Sequence, residues 1–449
     1  MNKLQAGYAA VTITPPLGIP LAGYFIDRPM DGVLDELEIC ALALSDGKNK
    51  AVVLVADLLG IRAVDLNPVR QTIAEKLDMA VEGVFIACTH SHTAPQISEN
   101  TTGKLPEKWK FYQDMLWAKF VDAARLAFRD LQTAKMGWAV GNAPNIAFIR
   151  RFRMKDGKVR TNPGVGNPDI LHPIGTVDER VNVLRFARDK GDIVLVNFGV
   201  HPDTVGGCKA SADYPKFVRS TLEAAIPGCK ALFLNGAQGD VNHVNVNAKD
   251  GDKNGLEPMF DDCDRGYVHT RHMGQTIAGA VLQVYEKVNF TDVEEIRCGG
   301  SVCQIPANRA DPKDLPLARE YAKLHKEGRD AEIPYQGMEL TTVVAEAMRM
   351  LRLENGPDHF DLPVSAISLG EAVLVGIPGE PFTGIGRGLK EGSPFAITLP
   401  CCCANGYEGY YPMQEAYDEG GYEARSSNFK AGVAEKLIET GRNLMKEVM

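Results

Sequence analysis

Two histidines stand two positions apart directly after an apolar stretch of the chain. His90 and His92 lie in Thr-His-Ser-His-Thr, which follows Gly-Val-Phe-Ile-Ala-Cys. Because alternate residues of an extended chain point to the same side, both imidazoles can converge on one cation or one substrate. Ordinary loop histidines show the same spacing, so the pair alone leaves both interpretations open.

A third histidine, His201, also follows an apolar stretch, Asp-Ile-Val-Leu-Val-Asn-Phe, and precedes a proline. Imidazole is a preferred zinc ligand, and the proline favours an extended backbone at the histidine. Taken alone, His201 could equally be structural. Three of the nine histidines nevertheless follow apolar strands, which is what a site assembled at one edge of a sheet requires.

A glycine-bearing segment, Asn-Gly-Ala-Gln-Gly-Asp-Val-Asn-His, spans residues 235–243 after the stretch Ala-Leu-Phe-Leu. Its glycines can bring the backbone close to a ligand and point amide N–H groups at a developing oxyanion. Asp240 and Asn242 lie in the same segment. The alternative is a tight turn that the Asn and Asp side chains cap.

Two later segments could complete a site. Glu380 lies in Ile-Pro-Gly-Glu-Pro-Phe-Thr after the stretch Ala-Val-Leu-Val-Gly, where a carboxylate could bind a ligand or cap a helix. The segment Asn-Gly-Tyr-Glu-Gly-Tyr-Tyr-Pro contains three tyrosines, Tyr407, Tyr410 and Tyr411. Tyrosines usually fill cores, so composition alone does not separate a catalytic loop from a packed one.

The elements that must position these residues alternate along the chain. Short apolar runs, as at 51–60 and 83–90, are followed by helical patterns near 107–133, 215–225 and 266–287. This order predicts an α/β fold with a mixed sheet core flanked by helices, and a functional site at the C-terminal rim of the strands.

The second half is more charged and helical, with helices expected at 312–327, 340–353 and near 428–447. No linker rich in Pro, Gly or Ser divides the chain. We therefore expect one domain over 1–449, in which 290–360 could form an inserted or lid-like subdomain.

Charge and hydropathy exclude several classes of function. The net charge of −9 comes from scattered acidic residues, and no basic run could follow a phosphate backbone, so we expect no nucleic-acid partner. No apolar run approaches the roughly 20 residues of a membrane span, so no integral membrane segment is expected. As written, the sequence predicts a cytoplasmic protein, or an exported one if a signal peptide has been removed.

Seven short segments, taken in order, resemble the catalytic N-terminal domain of the neutral/alkaline non-lysosomal ceramidase family over nearly the whole chain. They are Ile-Thr-Pro-Pro, Leu-Ala-Gly-Tyr, Thr-His-Ser-His-Thr-Ala-Pro, His-Pro-Asp-Thr, Asn-Gly-Ala-Gln-Gly-Asp-Val-Asn, Pro-Gly-Glu-Pro-Phe-Thr-Gly and Asn-Gly-Tyr-Glu-Gly-Tyr-Tyr-Pro. The resemblance implies one Zn²⁺ ion held by His90, His201, Glu380 and Tyr410. Such N and O ligands suit zinc and leave a position for water or a substrate carbonyl.

The same resemblance implies roles for three further residues. His92 would act as general base or acid, Tyr422 would donate to the carbonyl oxygen, and Arg150 would anchor substrate oxygen atoms. The backbone from Gly236 to Asp240 would support the oxyanion together with Tyr422.

The chain departs from the family pattern where the ceramidases carry a serine regarded as the nucleophile or as a direct participant at the zinc. Here that position is Asn242, followed by His243 in place of proline. An amide cannot be a covalent nucleophile, so metal-activated water is expected instead. His243 could add a ligand or a base, or could be a turn residue facing solvent. We also expect no counterpart of the C-terminal β-sandwich domain of the larger ceramidases.

The sequence therefore predicts a zinc-dependent hydrolase of an N-acyl amide or ester, with a small-molecule or lipid-like acyl substrate. One alternative is a hydrolase of a small soluble amide, lactone or carbohydrate-derived ester. Another is a metal-containing binding protein without chemistry. The oligomeric state and the identity of the metal remain open at this stage.

Overall fold

The computed structural model describes residues 4–97, 105–249, 252, 255–256 and 266–449. Its α-helices, numbered in chain order, are α1 (Ala63–Leu77), α2 (Lys110–Arg129), α3 (Tyr214–Ala225), α4 (Tyr267–Val284), α5 (Leu315–Lys326), α6 (Gly337–Glu354), α7 (Thr383–Glu391), α8 (Gln414–Glu419), α9 (Tyr422–Ser426) and α10 (Val433–Glu447).

The strands are shorter and more numerous than the helices. In the first half of the chain they are β1 (Gln5–Thr12), β2 (Gly32–Val33), β3 (Glu38–Ser45), β4 (Lys50–Ala56), β5 (Val84–Cys88), β6 (Gln132–Thr133), β7 (Lys135–Asn142), β8 (Phe148–Ile149), β9 (Arg151–Met154), β10 (Val159–Thr161), β11 (Ile170–Pro173), β12 (Arg180–Ala187) and β13 (Ile193–Phe198). The remainder are β14 (Lys209–Ala210), β15 (Lys230–Asn235), β16 (Val241–Asn242), β17 (Asn289–Thr291), β18 (Ile296–Pro306), β19 (His359–Leu369), β20 (Ala372–Gly376), β21 (Glu380–Pro381), β22 (Ile397–Cys401) and β23 (Tyr410–Tyr411).

Three sheets carry most of these strands. The first has the order β5-β4-β3-β1-β6, the second β15-β13-β12-β7-β17, and the third β18-β19-β20-β22. Each sheet is antiparallel except for one parallel pair, which is β4 with β5, β13 with β15, and β20 with β22. Parallel neighbours end at the same edge, so each sheet presents the carboxyl ends of two strands together.

One face of each sheet is covered by helices. Ile86 of the first sheet packs with Phe120 of α2, and Phe233 of the second packs in the same cluster as Val218 and Ile277 of α3 and α4. Helices α7 and α10 cover the third sheet in the same way. Full burial of such side chains contributes about 2 kcal/mol each relative to exposure.

The other faces of the three sheets meet in one shared apolar core. Phe85, Leu195 and Leu374, one from each sheet, lie fully or almost fully buried in this cluster. The strands are therefore apolar on both sides, because one side meets helices and the other meets the neighbouring sheets. The predicted α/β class with mixed sheets flanked by helices is confirmed, and most of the described strands are divided among three sheets.

Within residues 290–360, β18 is the edge strand of the third sheet. Helices α5 and α6 pack on each other through a small cluster that includes Leu324, Val343 and Val344. Movement of this region as a lid stays a prediction. Among the described residues, no helix is both long enough and apolar enough to cross a membrane.

Candidate functional site

The candidate ligands come from the carboxyl ends of the three parallel strand pairs. His90 and His92 follow β5 of the first sheet, and His201 follows β13 of the second. Glu380 follows β20 of the third sheet, in the short strand β21, where it pairs directly with Tyr410 of β23. The structure thus brings all four predicted metal ligands, and His92, to one place.

The side chains of this group face one another at short range. Glu380 Oε2 lies 3.2 Å from His90 Nε2 and 3.0 Å from His201 Nε2, and all three side chains are buried. His92 Nε2 lies 3.3 Å from His90 Nε2. One nitrogen from each of the three histidines falls within 4.8 Å of the others, so this buried group could hold a metal ion.

Backbone carbonyls fix which nitrogen of two imidazoles carries the proton. His90 Nδ1 lies 2.7 Å from Leu59 O, and His201 Nδ1 lies 2.9 Å from Gln238 O. A carbonyl only accepts, so each Nδ1 donates to it, and in the neutral imidazole each Nε2 then turns a lone pair toward Glu380. Lone pairs and a carboxylate oxygen that converge in this way repel one another unless a cation lies between them. The donor set therefore fits a divalent ion that prefers nitrogen and oxygen ligands.

Burial and mutual contacts set the protonation of this group. Burial acts to raise the pKa of Glu380, but His90 and His201 together bring that pKa well below its ordinary value. Burial lowers the pKa of His201, and lowers that of His92 well below its usual range. A charged carboxylate beside neutral imidazoles is the protonation state in which these side chains bind metal.

Tyr410 stands next to the histidines, as predicted. Its hydroxyl lies 3.4 Å from His201 Nε2, and the ring of Tyr422 meets its ring edge-on with 5.6 Å between centroids. Burial raises the pKa of Tyr410 well above its ordinary value. A second tyrosine that we had not assigned to the site, Tyr407, donates its hydroxyl to Glu380 Oε1 at 2.8 Å. The Tyr-x-x-Tyr spacing was the signal that could have identified it.

Arg150 is held beside the same group by two contacts. Its Nε donates to Glu423 Oε1 at 2.7 Å and its Nη2 donates to Gly239 O at 2.8 Å. Its Nη1 then lies 3.5 Å from His201 Nε2. Glu423 is fully buried and also accepts from Thr161 Oγ1 at 2.8 Å. Glu423 was not predicted as a site residue, although its position beside Tyr422 placed it near the site.

His92 faces a different set of neighbours from the other two histidines. Its Nδ1 lies 3.8 Å from Asp203 Oδ1. Within the described part of the chain, this nitrogen atom has no hydrogen-bond partner. Asp203 in turn accepts a hydrogen bond from the hydroxyl of Tyr24. Asp203 follows His201 by two positions, and this spacing is the signal that could have placed both side chains on the same side of an extended segment.

The segment from Gly236 to Asp240 does not present its glycine amides to the site. Gly236 N donates to Phe198 O and Gly239 N donates to Pro381 O, each at 2.9 Å. These two amides are already used within the fold, so oxyanion support by the backbone from Gly236 to Asp240 stays a prediction for the other amides of the segment. The segment instead positions other groups, since its carbonyls accept from His201 and Arg150.

Asp240 is tied to the start of α7. Its two carboxylate oxygens accept from Thr383 N at 2.7 Å and Thr383 Oγ1 at 3.0 Å. Burial raises the pKa of Asp240, and the bonds from Thr383 oppose that rise. Its catalytic assignment stays a prediction, and its contacts are those of a positioning residue.

Asn242 ends the short strand β16, and His243 follows it directly. Asn242 Nδ2 donates to Asn162 Oδ1 at 2.7 Å, and Asn242 Oδ1 accepts from Val244 N at 3.0 Å. His243 is buried, with its ring 6.0 Å from that of His269, so the interpretation of a solvent-facing turn residue is wrong. Neither belongs to the His90, His92 and His201 group found among the described residues.

A cavity of about 500 Å³ opens beside the tyrosines of the site. Its walls come from the first sheet's loops, from α6 and from the tyrosine loop. The lining residues are Ala22, Gly23, Tyr24, Phe25, Leu59, Gly60, Arg62, Pro95, Gln96, Ile97, Ala345, Arg352, Leu353, Pro357, Phe360, Tyr407, Glu408, Gly409, Tyr410, Tyr422, Ser426 and Asn428. A pocket of this size next to reactive side chains is a typical place for a small substrate.

Comparisons with known proteins point to one fold. No protein-family model and no curated protein matches the sequence. The crystal structure of neutral ceramidase from Pseudomonas aeruginosa superposes with a TM-score of 0.72 at 16% identity, covering 100% of this chain and 75% of that one. A structure of ceramidase complexed with C2 gives the same TM-score and identity and is covered over 76% of its length. The fold resemblance indicated by the ordered motifs is thereby confirmed, and the chain has the neutral ceramidase fold.

Proposed function

We propose that the protein is a zinc-dependent hydrolase of N-acyl amides. The observation that carries this proposal is the convergence of His90 Nε2 and His201 Nε2 on Glu380 Oε2, at 3.2 Å and 3.0 Å. Both histidines donate from their other nitrogen to a carbonyl, so in the neutral form each turns a lone pair toward Glu380, and a bound cation would offset the resulting repulsion. Similarity of fold to a ceramidase supports an amide as the scissile bond.

His90, His201, Glu380 and Tyr410 would hold the metal. A bound zinc ion would polarise the scissile carbonyl and bring the pKa of a water molecule to about 7. The positions of Leu59 O and Gln238 O keep the two ligand imidazoles in one tautomer and one orientation.

The residues around the ligands would orient the substrate and move the proton. Arg150 and Tyr422 lie on the Tyr410 side of the site and would donate to the carbonyl oxygen as it gains negative charge. His92 lies on the opposite side, against His90 and Asp203. It would take a proton from the attacking water and return it to the nitrogen that leaves when the C–N bond breaks.

Attack by water fits the side chains of the turn at 242. Asn242 has no nucleophilic oxygen, and both ends of its amide are hydrogen-bonded to Asn162 and Val244. An acyl intermediate on this residue is therefore chemically excluded. The same departure favours a second candidate function, hydrolysis of a small soluble amide, lactone or carbohydrate-derived ester rather than of a ceramide. A binding protein without chemistry is the remaining alternative.

The test is metal analysis of the purified protein combined with hydrolysis assays before and after chelation. The panel would contain a fluorescent ceramide, short soluble N-acyl amides and matched esters. We expect about one zinc ion per chain and amide cleavage that chelation abolishes and zinc restores. Cleavage of ceramide supports the first candidate, and cleavage of the soluble substrates alone supports the second. A protein that binds zinc but cleaves nothing would instead be a binding protein.

A further inference from the structure

Tyr407 holds the oxygen of the Glu380 carboxylate that does not face the two predicted histidine ligands. Its hydroxyl donates to Glu380 Oε1 at 2.8 Å. The other oxygen, Oε2, lies 3.2 Å from His90 Nε2 and 3.0 Å from His201 Nε2. An ionised carboxylate only accepts hydrogen bonds, so the phenol O–H is the donor. One oxygen of Glu380 is therefore occupied within the fold, and the other is directed at the place where the histidine nitrogens converge.

A glycine at position 60 makes room for the ring of Tyr407. A Cβ added to Gly60 would lie 2.5 Å from Cγ of Tyr407 and 2.8 Å from its Cβ, so a larger residue at this position would displace the ring. The ring also packs against that of His90, with 5.7 Å between centroids. Leu59, the residue before Gly60, accepts the hydrogen bond from His90 Nδ1 at 2.7 Å. One short segment thus helps to place both His90 and the tyrosine that holds Glu380.

Tyr411, four residues further along the chain, makes a different kind of contact. It is fully buried, and its hydroxyl donates to the backbone oxygen of Pro378 at 2.8 Å. Pro378 O also accepts from Glu408 N at 2.9 Å, so it keeps a partner without the tyrosine. Tyr407, by contrast, lines the cavity, and its hydroxyl contacts a side chain that the proposed chemistry uses. The two hydroxyl groups therefore differ in what their loss would expose.

We propose that Tyr407 is a positioning residue for metal binding, which holds Glu380 Oε1 so that Oε2 alone is offered to the ion. The proposal rests on the metal-dependent function proposed above and adds a residue to it. Without the hydroxyl, the carboxylate of Glu380 is free to turn and to offer both oxygens or neither. Partners that hold a metal ligand in one orientation typically contribute tenfold to a hundredfold to metal affinity or activity.

Two tyrosine-to-phenylalanine variants test the idea. Tyr407→Phe removes the hydroxyl and keeps the ring, and Tyr411→Phe is the matched control. Competition with a chelator of known affinity measures zinc binding by each protein. We expect Tyr407→Phe to bind zinc about tenfold or more weakly than the wild-type protein, and Tyr411→Phe to bind it as the wild-type protein does. The visible absorption of bound Co²⁺ depends on the number and geometry of its ligands, so it should change in Tyr407→Phe alone.

Wild-type zinc affinity in Tyr407→Phe, equal losses of affinity in both variants, or a cobalt spectrum that Tyr407→Phe leaves unchanged would overturn the proposal. Failure of the hydrolase function is a separate result, in which zinc binds but no substrate is cleaved. The comparison of affinities needs no turnover, so it still decides the role of Tyr407 in that case. A wild-type protein that binds no zinc would contradict both proposals. Thermal unfolding of each metal-free variant shows that it is folded.

Discussion

His201 and Glu380 meet with 3.0 Å between Nε2 and Oε2 although they belong to different sheets. His201 follows β13 of the second sheet, and Glu380 follows β20 of the third. The contact exists because the three sheets pack around one core, so that the carboxyl ends of their parallel strand pairs meet at one place. The geometry of the candidate site is therefore a property of the packing of the sheets rather than of any single segment.

Substitutions can separate the metal ligands from the proton-transfer residue. His201→Ala and Glu380→Ala each remove a converging donor, so we expect metal content and hydrolysis to fall together. His92→Ala should keep the metal while hydrolysis falls by about a hundredfold or more, the contribution typical of a general base. Metal content by mass spectrometry, measured beside kcat, distinguishes the two patterns.

The structure also allows a different outcome for His92. Its Nε2 is one of the three histidine nitrogens within 4.8 Å of one another, so it could be a ligand itself. Loss of metal in His92→Ala would assign it to the ligand set and would contradict its role as base. Retention of metal in both His201→Ala and Glu380→Ala would contradict the predicted ligand set.

Sequence patterns identified those parts of the site that are local in the chain. His90, His92, His201 and Glu380 each follow an apolar strand, and strand ends are where open α/β sheets place ligands. The bounds of α3 and α6 were also predictable to within about three residues, because helical periodicity is a local signal.

The supporting contacts were not predictable in the same way. Leu59 O orients His90, Tyr407 binds Glu380, and Glu423 holds Arg150. Each contact joins segments that are far apart in sequence, and the arrangement of three sheets decides which segments meet. The glycine amides of the 235–243 segment were misassigned for the same reason, since their acceptors, Phe198 O and Pro381 O, lie in other elements.

Gly23 leaves room for His92, and a methyl group there should displace the imidazole. A Cβ at Gly23 would lie 2.7 Å from His92 Nδ1, and the residue has a φ of +101°. We expect Gly23→Ala to lower kcat by roughly tenfold to a hundredfold, because small displacements of a reacting group are costly. Metal content should change little.

Gly18 provides the matched control for the backbone effect alone. Its φ is +87°, and the nearest atom to an added Cβ is 3.6 Å away. Gly18→Ala should therefore lose about 1 kcal/mol of stability from the positive φ and keep its activity. Equal activities in the two variants would show that His92 does not depend on the space at Gly23.

The buried ion pair between Arg150 and Glu423 predicts a loss of stability when only one partner is removed. Arg150→Met would leave the Glu423 carboxylate with Thr161 Oγ1 at 2.8 Å and Arg151 Nε at 3.8 Å. We expect the free energy of unfolding to fall by about 3 kcal/mol, as for other buried charges that lose a partner. Urea unfolding measures this loss.

A second variant distinguishes an uncompensated charge from lost packing. Arg150→Met combined with Glu423→Gln removes both charges and should recover at least half of the stability lost in the single variant. Activity should stay low in both, because Arg150 also lies beside His201 and Tyr410. No recovery in the double variant would show that packing, not charge, explains the loss.

We expect Asp130 to make the stability of the folded chain depend on pH in the acid range. Its carboxylate accepts from Lys190 Nζ at 2.7 Å, Arg188 Nη1 at 2.8 Å and Tyr8 N at 3.0 Å. Burial acts to raise its pKa, but these donors lower it from 3.8 to about 2. A carboxyl group whose pKa is lower in the folded than in the unfolded chain stabilises the fold above the unfolded pKa. That contribution is lost as the pH falls through the folded pKa.

The difference between wild type and Asp130→Asn therefore has a defined pH profile. Above about pH 4 the variant should be less stable by about 1 kcal/mol, a value that allows for the solvent screening of a partly exposed pair. The difference should shrink as the pH falls from about 4 to about 2, because the wild-type carboxylate is protonated there. Urea unfolding of both proteins at several pH values measures it, with Asp189→Asn, at an exposed position, as the control for removal of a surface carboxylate. A difference that is constant with pH would mean that the charge of Asp130 contributes nothing, and that the amide disturbs only the packing around Tyr8 and Arg188.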